Sequence, residues 1–305
     1  MTNQHPPSGS FFSGLIDYAG LFPPAALGLS DAVKNYSDYQ RSSERWILGR
    51  FIGATPHILA LTPDLLDSFS ASVPLEVSLV TKDPVADLPK VLAHSEALGG
   101  RFVVRALEVA LPCVEDVAAI AARITEAALP VGRCPIFFEL GAGEEWEGYL
   151  TKLLQALHTL REAQREVGFK LRCGGVEPQL IPPPARVAHA LFESAARSIP
   201  MKFTAGLHHP FRHPQKEPFP PMHGYFNIFF AALVAHAQHP PAKTLERIVS
   251  EMIDLSPVVS AGEIAWLGFT VTAPQIAAAR RDFALSYGSC SFLEPLEDAR
   301  TLKWL

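Results

Sequence analysis

The sequence predicts an α/β fold, a (β/α)8 barrel of TIM type formed as a single domain with extra C-terminal helices. Three observations carry this. Seven or eight apolar bursts of strand length alternate with amphipathic helical patterns along 305 residues, a rhythm of parallel strands with helical crossovers. Several bursts place charged residues on one parity and apolar residues on the other, as expected when one strand face meets helices and the other a barrel interior. No G-x-G-x-x-G follows the first burst, so a doubly wound open sheet is the runner-up.

Taken in order, residues 1–12 read as a flexible arm and 13–305 as the barrel. The strands are expected over 14–22, 46–54, 75–81, 101–111, 134–142, 169–175 and 201–207. A helix starts at Ser30, which can cap it, and another at Thr62-Pro63, where proline suits the first turn. Further helices are expected at 84–98, over "VEDVAAIAARITEAAL", over 145–167 and over "PPARVAHALFESAARSI". After a proline-rich loop at 208–221 come helices at 222–238 and 242–254. The eighth strand has two candidates. One is 264–271, followed by a helix capped by Thr272, and the other is 284–292, which is favoured and leads into a closing helix.

Composition excludes several function classes. The hydrophobic content of 48% and charged content of 19% are those of a chain with a sizeable core. The net charge of −5 and the lack of any Lys/Arg block argue against nucleic-acid or anionic-membrane partners. No apolar run is long enough to span a bilayer; "YFNIFFAALVAHA" reads as a buried helix. The four cysteines form no C-x-x-C pair, and the N-terminus has no secretory pattern, so the expected setting is cytoplasmic with reduced thiols. A homo-oligomer is compatible with this reading.

Strand parity nominates an interior. Lys170, Arg172 and Gly174 oppose Phe169, Leu171 and Cys173, while Lys202, Thr204 and Gly206 oppose Met201, Phe203 and Ala205. Glu139, Glu76 and Ser78, and Arg105 take the same role on the fifth, third and fourth strands, and Asp17 lies in the first. Buried charges must be paired or functional, so this set reads either as a salt-bridged core or as a site at the strand C-termini.

Lys170 and Lys202 occupy matching positions on adjacent strands, each followed four residues on by glycine. Neighbouring ammonium groups depress one another's pKa, which can prepare a lysine for Schiff-base chemistry. Arg172, Thr204, Gly174 and Gly206 would bind the anionic part of a small substrate, with Asp17 and Ser289 at neighbouring strand ends. The segment Lys202-Phe203-Thr204-Ala205-Gly206 resembles the Schiff-base strand of class I deoxyribose-phosphate-type aldolases, which are barrels with a second lysine on a neighbouring strand. The order of the two lysine strands is reversed here, so the nucleophile stays open between Lys202 and Lys170. With "LIDYAGLFPPA", "FTAGLHHP" and "YGSCSFLEP", the whole chain resembles an uncharacterised bacterial family of hypothetical proteins.

The leading expectation is therefore a lyase or aldolase-like enzyme without a cofactor, using Lys202, Lys170, Glu139 and His208, the last as acid/base. Adjacent histidines at a strand end point in opposite directions, which separates His208 from His209. An alternative is a divalent-metal hydrolase or lyase with His208, His223, Glu139 and Asp17 as ligands. A third is a non-catalytic barrel that binds a small ligand. Cys290, in "GSCS", reads as an inert thiol with no base at a fixed offset.

Overall fold

Eight parallel strands close into a barrel in the computed structural model, which describes residues 9–129, 134–143, 145–252 and 256–305. The strands are β1 (Ile16–Tyr18), β2 (Leu48–Ala54), β3 (Leu75–Thr81), β4 (Phe102–Leu111), β5 (Ile136–Leu140), β6 (Val167–Arg172), β7 (Met201–Thr204) and β8 (Ala284–Ser289). They follow chain order around the barrel, and β1 pairs with both β2 and β8 to shut it. The crossover and flanking helices are α1 (Leu29–Gln40), α2 (Thr55–Leu59), α3 (Pro84–Ala97), α4 (Val117–Ala128), α5 (Trp146–Glu162), α6 (Pro184–Ala196), α7 (Tyr225–Gln238), α8 (Ala242–Ser250), α9 (Ala273–Asp282) and α10 (Leu293–Thr301).

The helices form because their apolar residues recur on one face. α5 buries Leu150, Leu153, Leu154, Leu157 and Leu160, the spacing of a helix that packs by one stripe. α7 is different, with every residue from Tyr225 to Ala235 buried, since α6, α8, α9 and a small ribbon surround it. Its one buried amide is satisfied: Asn227 donates to the carbonyls of Ile248 and Glu251 at 2.9 Å and accepts from the Arg212 N–H at 2.8 Å.

Several expectations are corrected. The favoured eighth strand is the one that closes the barrel. The other candidate belongs to an antiparallel ribbon of Val258–Val259, Glu263–Trp266 and Phe269–Thr272. Its tight turn uses Leu267 and Gly268, at φ +52° and +83°, the two-residue left-handed hairpin turn that suits strand twist. No long helix begins at Thr62; the crossover after β2 is α2, and only a 3-10 turn at Asp64–Leu66 follows. Of the arm expected over 1–12, residues 1–8 lie outside the described residues. Gly9–Phe12 is a helical turn whose Phe11 and Phe12 are buried against Phe226, Phe229 and Trp304.

One irregularity reorients a whole strand. Val77 pairs with Val104, but Ser78 pairs with Ala106, so Arg105 is an extra residue in β4. Such a bulge reverses the parity of everything after it. Phe102 and Val104 face the helices with Leu75 and Val77, whereas Ala106 and Glu108 share the interior face with Ser78 and Val80. The expected interior position of Arg105 is thus wrong. Its side chain is 51% exposed and pairs at 2.9 Å with Glu76, itself 44% exposed near the start of β3.

Arg280 fastens the closure. Its Nε donates to the Phe11 carbonyl and one Nη to the Ser13 carbonyl, both at 2.9 Å, while the other Nη meets the carbonyls of Ala284 and Leu285. One buried guanidinium joins the segment before β1 to the start of β8. Arg280→Ala leaves these carbonyls unpaired and should cost about 3 kcal/mol or more, read as a lower urea midpoint at unchanged m-value.

Candidate functional site

The interior is organised by register. Glu139 pairs with Lys170, Lys170 with Lys202, and Lys202 with Ser286, so four adjacent strands place one polar residue each in a single row. Glu108 on β4 and Asp17 on β1 join it across the barrel. Lys202 Nζ lies 2.5 Å from Glu108 Oε1, 2.8 Å from Asp17 Oδ2 and 3.0 Å from the Ser78 hydroxyl. Lys170 Nζ lies 2.8 Å from Glu108 Oε2 and 2.9 Å from Glu139 Oε2. Arg172 Nε donates to Glu139 Oε1 at 2.8 Å. The result is an alternating chain, Asp17–Lys202–Glu108–Lys170–Glu139–Arg172, of three anions and three cations.

Asp17 closes the chain's deep end. Its Oδ1 accepts from the Arg50 N–H at 2.6 Å and its Oδ2 from the Ser286 hydroxyl at 2.7 Å. Gly49 makes room, since a Cβ there would lie 2.2 Å from Oδ1. The other end emerges into solvent, the Arg172 side chain being 42% exposed.

Mutual attraction sets the protonation states. Burial alone would push the Glu108 carboxyl up, but Lys170 and Lys202 outweigh it and hold it well below the usual carboxylate range. Glu139 is likewise held low, by Lys170 and Arg172 against its own burial. Burial disfavours the Lys170 ammonium, but Glu108 and Glu139 prevail and raise its pKa above that of an ordinary lysine. The lysines are therefore not neighbours that repel each other, because a carboxylate stands between them.

Above this chain, at the C-terminal ends of the strands, a cavity of about 320 Å³ opens. Glu108, Glu139, Lys170, Arg172, Thr204 and His208 line it. Lys202 and Asp17 do not; each is about 1% exposed and lies beneath the floor. A side recess of about 330 Å³ shares Lys170, Arg172 and Glu139 and adds Gln179 and Arg186, the latter stacked over Trp146. An outer vestibule of about 660 Å³ adjoins the cavity, and His208 and Cys290 line both.

The remaining expected residues separate. Gly206 lines the cavity at φ +72°, and Gly174 packs against it so closely that a Cβ on Gly174 would lie 2.8 Å from the Gly206 Cα. Ser289 is turned away, because Ser286 and Gly288 take the inward parity of β8; its hydroxyl accepts from the Ser291 N–H at 3.3 Å. His223 is fully buried elsewhere, with Nε2 2.7 Å from the Pro182 carbonyl, and burial lowers its pKa to about 4. It does not converge with His208 and Glu139. Among the described residues no group of three or more His, Cys, Asp or Glu is placed to hold a metal ion.

The histidine pair also departs from expectation. β7 ends at Thr204 and Ala205 and Gly206 take positive φ, so strand alternation does not extend to His208 and His209. Both reach α10, His208 Nδ1 to Glu294 at 3.0 Å and His209 Nδ1 to Asp298 at 2.8 Å. His208 Nε2 lies 4.0 Å from Cys290 Sγ. Sequence reading missed Glu108, Ser286 and Glu294. Glu108 had a signal, the alternation of Ala106, Glu108 and Ala110 with Leu107, Val109 and Leu111.

Neither models of known protein families nor curated proteins give a match to this chain. What the site can do is read from its geometry: a small anion can enter at Arg172 and Arg186, meet the Lys170 ammonium, and lie within reach of an imidazole.

Two outcomes follow from the charge chain. Glu108→Gln strips two buried ammonium groups of their shared anion and should cost about 3–5 kcal/mol in urea unfolding. In the native protein, depressed Glu108 and Glu139 stabilise above their unfolded pKa and lose this as pH falls below about 4. Raised Lys170 stabilises below its unfolded pKa and loses this above about pH 10. Unfolding free energy against pH should show a plateau between these limits and fall on both sides, with the acid limb shallower in Glu108→Gln.

Proposed function

We propose that the protein is an enzyme of the lyase class, with aldolase-like chemistry on a small carbonyl-bearing anion. The observation that carries this is the position of Lys170. It is a buried ammonium fixed by Glu108 and Glu139, and it opens with the half-exposed Arg172 onto a cavity at the C-terminal mouth. Barrel enzymes place their chemistry at that end.

Arg172, with Arg186 behind it in the side recess, would take the carboxylate or phosphate of the substrate. Lys170 would then face the carbonyl oxygen. A preorganised cation there stabilises the enolate that forms when a bond to the adjacent carbon breaks. His208 lines the same cavity and is of the type that moves protons near neutrality.

The lyase expectation from the Lys202 segment is thereby carried to a different lysine and a different role. An imine needs a neutral amine, and the flanking carboxylates keep Lys170 charged. Lys202, enclosed by Asp17, Glu108 and Ser78, would support Lys170 through their shared Glu108.

Proton NMR in D2O over a panel of 2-oxo acids and phosphorylated ketones and aldehydes tests the proposal. At least one member should exchange its α-proton or be cleaved. Lys170→Met should lower kcat/KM about 100-fold or more, and Arg172→Met should raise KM about tenfold for the same substrate. Borohydride with substrate should leave both lysines unmodified. A reduced adduct on Lys170 or Lys202 would replace the enolate role with an imine, and binding without turnover across the panel would overturn the enzymatic reading.

A further inference from the structure

Cys290 and His208 stand where the inner cavity meets the outer vestibule. The Glu294 carboxylate can only accept, so its 3.0 Å contact fixes the proton of neutral His208 on Nδ1. The Nε2 lone pair is left facing Cys290 Sγ at 4.0 Å. Nucleophile, base and orienting acid thus come from the end of β8, the loop after β7 and the first turn of α10. This is the arrangement of an activated nucleophile, with the thiol–imidazole contact at the loose end of what is found before substrate binds.

The nucleophile sits between two chambers of different character. The inner one ends in the ammonium of Lys170 and the guanidinium of Arg172. The outer one, about twice the volume, is walled by Phe219, Met222 and prolines together with His209 and His213. A molecule that spans the neck has its anionic end inside and its other end outside, with the bond between them at Cys290.

We propose that the substrates are 1,3-dicarbonyl anions, 3-oxo or 2,4-dioxo acids, and that Cys290 cleaves them by attacking the carbonyl in the neck. This rests on the enolate-forming carbon–carbon cleavage proposed above and specifies its substrate class; since water takes up the outer fragment, the net reaction is a hydrolysis. His208 Nε2 takes the thiol proton as sulfur adds to the carbonyl carbon. The carbon–carbon bond to the inner fragment then breaks, its electron pair passing into an enolate held by Lys170 and Arg172. His208 returns the proton to the enolate carbon, which releases the inner acid. The outer fragment remains as a thioester on Cys290, and water attacks it to release a carboxylic acid and restore the thiol. Burial holds the Cys290 thiol above its usual pKa, aided by the charge of Glu294, so the sulfur reacts as a thiol that loses its proton during attack. Glu294 is a positioning residue, acting through the His208 ring.

The test uses the full chain with acetylpyruvate and acetoacetate. Acid quenching during the first turnovers followed by peptide mass spectrometry should find an acetyl group on Cys290, with pyruvate released from acetylpyruvate in a burst matching the enzyme concentration. His208→Asn should lower acetylation at least 100-fold. Glu294→Gln should lower it about tenfold, with part of the rate regained in Glu294→Asp. As a measure independent of substrate, iodoacetamide should alkylate Cys290 faster than the half-buried Cys113, and His208→Asn, with its urea midpoint unchanged, should remove that difference. Pyruvate release with no acyl group on Cys290, and undiminished in Cys290→Ser, would overturn this inference and leave the lyase reading standing. No release from either acid and no acetylation would overturn it as well, and the exchange panel above would then decide the lyase reading separately.

Discussion

The alternation of charge inside the barrel is the constraint on which the rest depends. Three carboxylates and three cations cannot be buried singly at any tolerable cost. They are buried here because each inner member touches two of opposite sign. Everything that fixes their positions serves that condition: the register that sets Glu139, Lys170, Lys202 and Ser286 side by side, the bulge that turns Glu108 inward, and the glycine that admits Asp17. Because the chain is neutral and complete at its deep end, its reactive character is expressed only where it surfaces, at Lys170 and Arg172.

This arrangement separates two tasks that the sequence presents together. Both lysines occupy equivalent places in their strands, yet one is sealed and the other borders open space. The difference arises from neighbours far away in the chain. Asp17 and Ser78 reach Lys202, whereas Lys170 has Glu139 and then Arg172, which leads outward. A site built on such a chain is rigid, since moving any one group uncovers its partners' charges.

The barrel itself was legible because parallel strands covered by helices write their apolar residues in bursts and their interior residues on one parity. Lys170, Arg172, Lys202, Thr204 and Glu139 were found that way. Arg105 and Glu108 were exchanged because period-two reading assumes an unbroken strand, and a single extra residue cancels that assumption without leaving a glycine or proline to mark it. Ser289 was placed at the mouth for its position at a strand end, where the inward parity of Ser286 and Gly288 turns it away. The partners of His208 were beyond local reading: Glu294 lies 86 positions away and Cys290 lies 82 away, and only closure of the barrel sets β8 and α10 against the loop after β7. The ribbon imitated a barrel strand because a half-covered hairpin and an interior strand share the same short apolar signature.

The Arg280 clasp and the Asp17 pairings give the chain a particular history each time it is made. Asp17 leaves the ribosome before Lys202, and well before Ser286, 269 residues further on. The first strand has no counter-ion until Lys202 has been made, and no neighbour on one side until β8 has. A growing chain can lay down β2 to β7, and with them every remaining charge of the interior, as it emerges, but the ring cannot be drawn shut before the last strand arrives. The arrival of β8 is therefore what turns an open sheet into a sealed ring.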